Sequence, residues 1–209
     1  MPQSNASIQG IIFDLGRVLV DFDHGIAARK LSGVMHKTPQ EVYDLFFSSG
    51  LTQLFEAGKL SPEEFFLKIK EALGLCMEYD DFLPVWNGIF FLSDENKALY
   101  GLVKGLRKRY KVLLLSNINV LHYNYLKEHF PVFDVFHAVV TSFETGVIKP
   151  DPRIYRKALE VLAMPAQTVF YTDDRPELIE GALSLGIKGF VYRGVEQLKI
   201  DLSSCGIHA

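Results

Sequence analysis

Along most of this chain, apolar β-rich runs alternate with segments of helical periodicity. Ile11 to Phe13, Val112 to Leu115, Val135 to Val140, Val169 to Tyr171 and Gly189 to Tyr192 predict strands. Short apolar runs bounded by polar residues suit strands buried on both faces. Segments near Asn96 to Arg109, Val120 to Phe130, Pro152 to Leu162 and Glu177 to Leu185 carry apolar residues at helical spacing and predict helices. The alternation predicts a doubly wound, mostly parallel α/β sheet with right-handed crossovers.

The stretch from about Asp23 to Ser93 breaks the pattern, because it contains no convincing strand and separates the first core strand from the second. It predicts an inserted small α-helical cap over residues 23–92, with residues 1–22 and 93–209 forming the α/β core. Two helix starts inside it are specific. Thr38-Pro39-Gln40-Glu41 and Ser61-Pro62-Glu63-Glu64 each combine an N-cap hydroxyl, a proline at the first helical position and a capping-box acid. With no repeat, low-complexity run or Gly/Ser linker, the insertion is expected to pack directly on the core.

Composition narrows the partners. With 209 residues, 48% hydrophobic and 22% charged, the chain can enclose one core domain plus an insertion. The formal net charge is -3 and the Lys and Arg residues are scattered, so neither nucleic acid nor an anionic membrane is expected as a partner. The opening MPQSNASIQG lacks signal-peptide features, and no apolar run approaches the roughly 20 residues that span a bilayer, so a soluble, cytoplasmic protein is expected. Cys76 and Cys205 lie far apart with no CxxC spacing, which predicts buried, reduced thiols rather than zinc ligands or a disulfide. None of the six histidines sits in HxH or HExxH, and His122 is expected on a helix surface. No GxGxxG or GxxxxGK[ST] follows a strand, which removes the usual nucleotide fingerprints.

Ligands of open parallel sheets bind beyond the carboxyl ends of the strands, so the polar residues there are the candidates for chemistry. Four places qualify. Asp14 ends the first strand at a Gly-containing turn, Ile11-Ile12-Phe13-Asp14-Leu15-Gly16-Arg17-Val18, where a carboxylate can attack phosphorus or bind a cation; taken alone it suits a turn or helix cap equally. Ser116 and Asn117 follow Leu113-Leu114-Leu115 and offer a hydroxyl and an amide to phosphate oxygens. Lys149 sits in the rigid loop Gly146-Val147-Ile148-Lys149-Pro150-Asp151-Pro152, able to aim a point charge at an anion. Asp173 and Asp174 close another buried strand; adjacent acids repel, and a cation such as magnesium would stabilise both, although Asp174 as a helix cap paired with Arg175 competes.

In order and placement, Asp14, Ser116, Lys149 and Asp173-Asp174 resemble the four motifs of the haloacid dehalogenase-like hydrolase superfamily, over nearly the whole chain. The resemblance implies a Rossmann-like core and a magnesium-dependent phosphatase of a small phosphorylated substrate. It implies Asp14 as nucleophile and metal ligand, with the Gly16 backbone carbonyl and Asp174 as further ligands and Asp173 in support. It further implies Ser116, the Asn117 backbone and Lys149 as the phosphoryl-holding groups, under the helical cap.

One position departs. Phosphatases of this superfamily usually carry a second aspartate two positions after the nucleophile, as the proton donor and later base, and this chain has Gly16 there. Losing a positioned acid or base costs about 10²- to 10⁴-fold, and least for good leaving groups. Substrates such as anomeric sugar phosphates or acyl phosphates are therefore expected, and the FDLGxV form resembles a branch with sugar-phosphate phosphatases. Asp21 and Asp23 are alternative proton-transfer groups, set against a role in the turn entering the cap. Two other readings stand beside the phosphatase: a metal-independent haloacid dehalogenase, and a catalytically silent relative that binds a phosphorylated ligand or a partner protein.

Overall fold

The computed structural model describes residues 7–35, 37–48 and 50–208; of Phe47 and Ser48 only the backbone is described. Five parallel strands form the central sheet in the order β5-β4-β1-β6-β7, with β1 at Gly10–Phe13, β4 at Lys111–Ser116, β5 at Ala138–Thr141, β6 at Val169–Asp173 and β7 at Lys188–Val191. Strand β1 lies in the middle because its four residues are buried on both faces. Its alternation divides the core: Ile11 and Phe13 pack with Val112, Leu114 and Phe170 on one face, and Ile12 packs with Leu113, Val169 and Tyr171 on the other.

Helices cover both faces, as a doubly wound sheet requires. Leu99 and Val103 of α6 (Asp94–Leu106), Leu126 of α7 (Val120–His129) and Leu198 of α11 (Val195–Ser204) close the first face. Ile154 and Ala158 of α9 (Pro152–Leu162) and Ile179 and Ala182 of α10 (Pro176–Leu183) close the second. The α/β reading of the sequence is correct. The expected strand at Val135 to Val140 begins only at Ala138, because Val135 and Phe136 are spent as buried contacts beneath the first layer. Helix α11 and the short α8 (Ser142–Thr145) were not foreseen.

Residues 24–87 form five further helices: α1 (His24–Ser32), α2 (Pro39–Ser48), α3 (Leu51–Glu56), α4 (Pro62–Leu73) and α5 (Tyr79–Asn87). They enclose a core of their own, in which Phe55 stacks on Phe65 at 4.3 Å between ring centroids and Phe82 stacks on Trp86 at 5.8 Å. Both sequence-read starts form: Ser61 and Glu64 complete a capping box on α4, and Thr38 and Glu41 exchange the same pair of bonds on α2. The stretch does contain a strand after all. β3 (Phe90–Phe91) pairs antiparallel with β2 (Asp21–Phe22), a two-residue ribbon tying the way in to the way out. Two residues leave no periodicity to read. Among the described residues, no helix is long and apolar enough to cross a membrane.

Two side chains depart from expectation. Cys76 is exposed rather than buried, and Cys205 is half-buried. His122 is buried rather than on the surface, stacked on Trp86 at 4.8 Å where α7 meets the five-helix unit. The Trp86 carbonyl, 3.2 Å away, can only accept, so Nε2 carries the proton, and Nδ1 accepts from the Asn119 amide at 3.0 Å. The neutral imidazole is thus fully bonded, and burial lowers its pKa from 6.5 to about 3.

That depression makes stability acid-sensitive. Below pH 6.5 the unfolded chain takes up a proton that folded His122 refuses, so its contribution is complete above 6.5 and is lost as pH falls towards 3. The full slope is about 1.4 kcal/mol per pH unit. Denaturant unfolding at pH 7 and pH 5 should show a larger acid loss for wild type than for His122→Gln, by about 1–2 kcal/mol; equal losses would contradict a buried neutral imidazole.

Candidate active site

Chain order makes β1 the switch point of the sheet: the chain moves outward through β4 and β5, then crosses to β6 and β7 on the other side. Beyond the carboxyl ends of strands at such a point the connections diverge and leave a crevice. Here it is a cavity of about 630 Å³. Its floor carries Asp14, Ser116, Lys149, Asp173 and Asp174, and its roof is made of side chains from the five-helix unit, including His24, Tyr43, Gln53 and Glu56. The sequence-derived candidates therefore meet in one place.

Asp14 follows β1 directly, and its backbone N–H continues the ladder to the Thr172 carbonyl at 3.0 Å. Lys149 is 2% exposed and donates to Asp14 at 2.6 Å, to Asp173 at 2.6 Å, to the Leu115 carbonyl at 3.1 Å and to the Tyr171 hydroxyl at 3.1 Å. A lysine in a loop is ordinarily solvated; this one is internal because Asn117 grips its backbone. The Asn117 side chain accepts from the Lys149 N–H at 2.7 Å and donates to the Lys149 carbonyl at 3.0 Å. That side chain is consequently committed to positioning Lys149, and only the backbone of Asn117 remains for an anion. The Ser116 hydroxyl ends β4 buried and has no hydrogen-bond partner among the described residues.

Asp173 is fully buried, and both its oxygens are taken: Oδ1 by the Arg175 N–H at 3.0 Å, Oδ2 by Lys149 and the Tyr171 hydroxyl. Burial alone would favour its neutral form, but the Lys149 charge and these hydrogen bonds outweigh it and hold its pKa low. Asp174 does not cap α10, which starts after Arg175, and Arg175 pairs with Glu177 rather than with Asp174. Asp174 is thus left facing the cavity.

Burial, opposed by Lys149 and reinforced by Asp173, raises the Asp14 pKa from 3.8 to about 7. Burial and Asp173 likewise raise that of Asp174. Asp14, Asp173 and Asp174 can bring one oxygen each within 4.8 Å of one another. Among the described residues Lys149 is the only side-chain cation bonded to this trio, with Arg17 and Arg175 standing on the cavity wall, and an all-oxygen set of clustered carboxylates fits a hard divalent cation such as magnesium.

Three residues at or around this cavity were invisible as site residues in the sequence. Tyr171 has the pattern of a core strand residue, and Glu56 and His24 belong to helices whose approach to the sheet has no local signal. Asp23, by contrast, caps α1 through the Gly25 N–H at 2.8 Å and pairs with Arg29 at 3.0 Å, and neither Asp21 nor Asp23 lines the cavity.

Residues 8–186 match the family model of the haloacid dehalogenase-like hydrolases. The chain belongs to that family. D-ribitol-5-phosphate phosphatase of Bacteroides thetaiotaomicron is 30% identical over 190 residues, covering 88% of this chain and 91% of the relative. A phosphatase of Mycobacterium tuberculosis is 26% identical over 208 residues, 96% of each chain. Among solved structures, an HAD family enzyme of Bacteroides thetaiotaomicron in complex with magnesium and inorganic phosphate gives a TM-score of 0.80 at 26% identity, covering 90% of this chain and 95% of that one. The resemblance read from four strand ends is therefore correct, and this HAD-like hydrolase is an enzyme by family.

The buried ion pairs predict how the hydrolase responds to losing its lysine. Lys149→Met leaves Asp14 and Asp173 side by side without a counter-charge, and should lower unfolding free energy by about 3–5 kcal/mol. Urea denaturation at neutral pH measures this, and an unchanged midpoint would contradict the ion-pair geometry.

Proposed function

We propose that this HAD-like hydrolase is a magnesium-dependent phosphatase of a small phosphorylated polyol or sugar, working through an aspartyl-phosphate on Asp14. The carrying observation is the meeting of a nucleophilic carboxylate with an ammonium, a free hydroxyl and two further carboxylates at the bottom of one crevice. The similarity to a D-ribitol-5-phosphate phosphatase supports the substrate class. So does the polar roof, where Tyr43, Gln53 and Glu56 face the cavity and suit a hydroxylated ligand.

In this reading, Asp14, the Gly16 carbonyl and Asp174 would hold the metal, and Asp173, whose oxygens are already occupied, orients Lys149. The magnesium ion would supply charge neutralisation and Lewis-acid stabilisation of the phosphoryl oxygens. Ser116, the Asn117 N–H and Lys149 hold the remaining oxygens and set the phosphorus in line with Asp14. Attack by the Asp14 oxygen forms an O–P bond as the bond to the departing alcohol breaks. Water then attacks phosphorus, the Asp14–phosphorus bond breaks, and inorganic phosphate leaves. The five-helix unit, residues 23–92, acts as the cap: it excludes bulk water and reads the part of the substrate beyond the phosphate.

Phosphate release from a panel of sugar and polyol phosphates, with and without magnesium, tests the reading. Asp14→Asn should abolish turnover by roughly 10⁴-fold or more while the protein stays folded. Chloride release from 2-haloacids without metal would overturn the reading in favour of a dehalogenase.

A further inference from the structure

The departure at Gly16 has a physical counterpart in the structure. A Cβ built on Gly16 would lie 2.8 Å from the Phe22 ring, so the space a side chain there would need is filled by an aromatic. Phe22 is held in place by its β2–β3 pairing with Phe90 and by the His24 ring at 4.8 Å. A side chain at position 16 would therefore need the Phe22 ring to move aside, and with glycine there ester hydrolysis needs its proton donor from elsewhere.

The last residue of α3 lines the same cavity as this ring. Glu56 and Gly16 share the wall of the main cavity and of a smaller recess of about 60 Å³, together with Ser116 and His24. The Glu56 carboxylate makes no hydrogen bond or ion pair among the described residues. Its backbone, in contrast, is pinned to the core. Ser142, fully buried after β5, places its hydroxyl 2.5 Å from the Glu56 carbonyl and 2.9 Å from the Ile118 N–H. The following turn is equally close-packed, since a Cβ on Gly58 would come within 2.3 Å of the Phe143 carbonyl. A half-buried carboxylate with no partner, on a fixed backbone at the wall of the cavity that also holds Asp14, is available to a ligand there.

Resting on the phosphatase reading above, we propose that Glu56 is the general acid and base of this enzyme, supplied from the helical unit in place of the carboxylate missing at Gly16. In the first step, the Asp14 oxygen bonds to phosphorus, the phosphorus–alcohol bond breaks, and the Glu56 proton goes to the departing oxygen. In the second, Glu56 carboxylate takes a proton from water as the water oxygen bonds to phosphorus and the Asp14–phosphorus bond breaks. Glu56 ends protonated and Asp14 ends ionised, so the cycle closes without a co-reactant.

Electrostatics agree with this role. Burial raises the Glu56 pKa from 4.5 to about 7, against the opposing pull of Arg175 and Lys149, which places it where an acid in one step can be a base in the next. The other ionisable groups around the same cavity are Arg17, His24, Tyr43, Asp14, Asp173 and Asp174. His24 is the weaker candidate: burial and Arg17 lower its pKa to about 4, so at neutral pH its imidazole is neutral and lacks the acidic proton of an imidazolium.

The test compares wild type with Glu56→Gln on D-ribitol 5-phosphate, whose leaving oxygen is a basic alkoxide, and on p-nitrophenyl phosphate, whose leaving oxygen needs no proton. With magnesium present, kcat/KM for the alkyl ester should fall about 10²- to 10⁴-fold, and its alkaline limb should disappear. With the nitrophenyl ester, the first stoichiometric release of nitrophenolate should persist near the wild-type rate, followed by slow turnover and phosphoenzyme visible by intact mass. The thermal midpoint should not fall, because Gln replaces a desolvated carboxylate without breaking a bond. If Glu56→Gln fails to fold, Glu56→Asp serves: it should keep the alkaline limb at a reduced kcat. Alkyl-ester turnover unchanged in a folded Glu56→Gln, or a nitrophenolate burst lost in parallel with it, would overturn the assignment of Glu56 alone. No phosphate release by wild type from either ester would overturn the phosphatase reading and this inference together.

Discussion

A single ammonium in the bottom of the crevice ties the structure together. Lys149 reaches Asp14 at the end of β1, the Leu115 carbonyl on β4, and Asp173 at the end of β6, so three strands converge on one buried charge. Charges out of water are tolerable only when paired with good geometry and their remaining hydrogen bonds are satisfied. That requirement explains the shell around Lys149: Asn117 clamps its backbone, Tyr171 hydrogen-bonds both it and Asp173, and Arg175 caps the far oxygen of Asp173. These contacts are support for the charge rather than chemistry in themselves.

The same arrangement leaves an imbalance that defines the site. With Asp174 added there are three carboxylates around one lysine, and the two with free oxygens, Asp14 and Asp174, are the two whose pKa values rise. A site that strains against its own charge is suited to bind a cation together with a phosphate. Filling it with further hydrogen bonds would have stabilised the fold at the expense of that capacity.

The five-helix unit is more than a lid in physical terms. Its aromatic core continues through Trp86 onto His122 of α7, and its α3 end is hydrogen-bonded to Ser142 after β5, so it is anchored to the sheet layer at two places. Phe22, in the ribbon leading into the unit, fills the space beside Gly16, and Glu56 of α3 lines the same recess. The bare turn after Asp14 and the Glu56 side chain of the helical unit thus border one shared space.

Asp14, Ser116 and Asp173-Asp174 were legible in the sequence because each follows a short apolar run, and sheet geometry puts such positions at one edge whatever the rest of the chain does, while Lys149 was legible from its proline-bearing loop. The helix starts at Thr38 and Ser61 were legible because capping is a contact between residues three apart. Cys76, His122 and the β2–β3 ribbon were misjudged or missed because their surroundings come from segments distant in sequence. The Lys149–Asp14 contact spans 135 positions, and the contact of Ser142 with Glu56 spans 86. The sequence by itself determined the α/β architecture, the family and the floor of the crevice, through patterns a few residues long. Only the tertiary structure decided that Lys149 is buried, that Asn117 holds it, that Phe22 occupies the space beside Gly16 and that Glu56 lines the same cavity as Asp14. Burial and long-range juxtaposition set charge and reactivity, and neither is a local property of the chain.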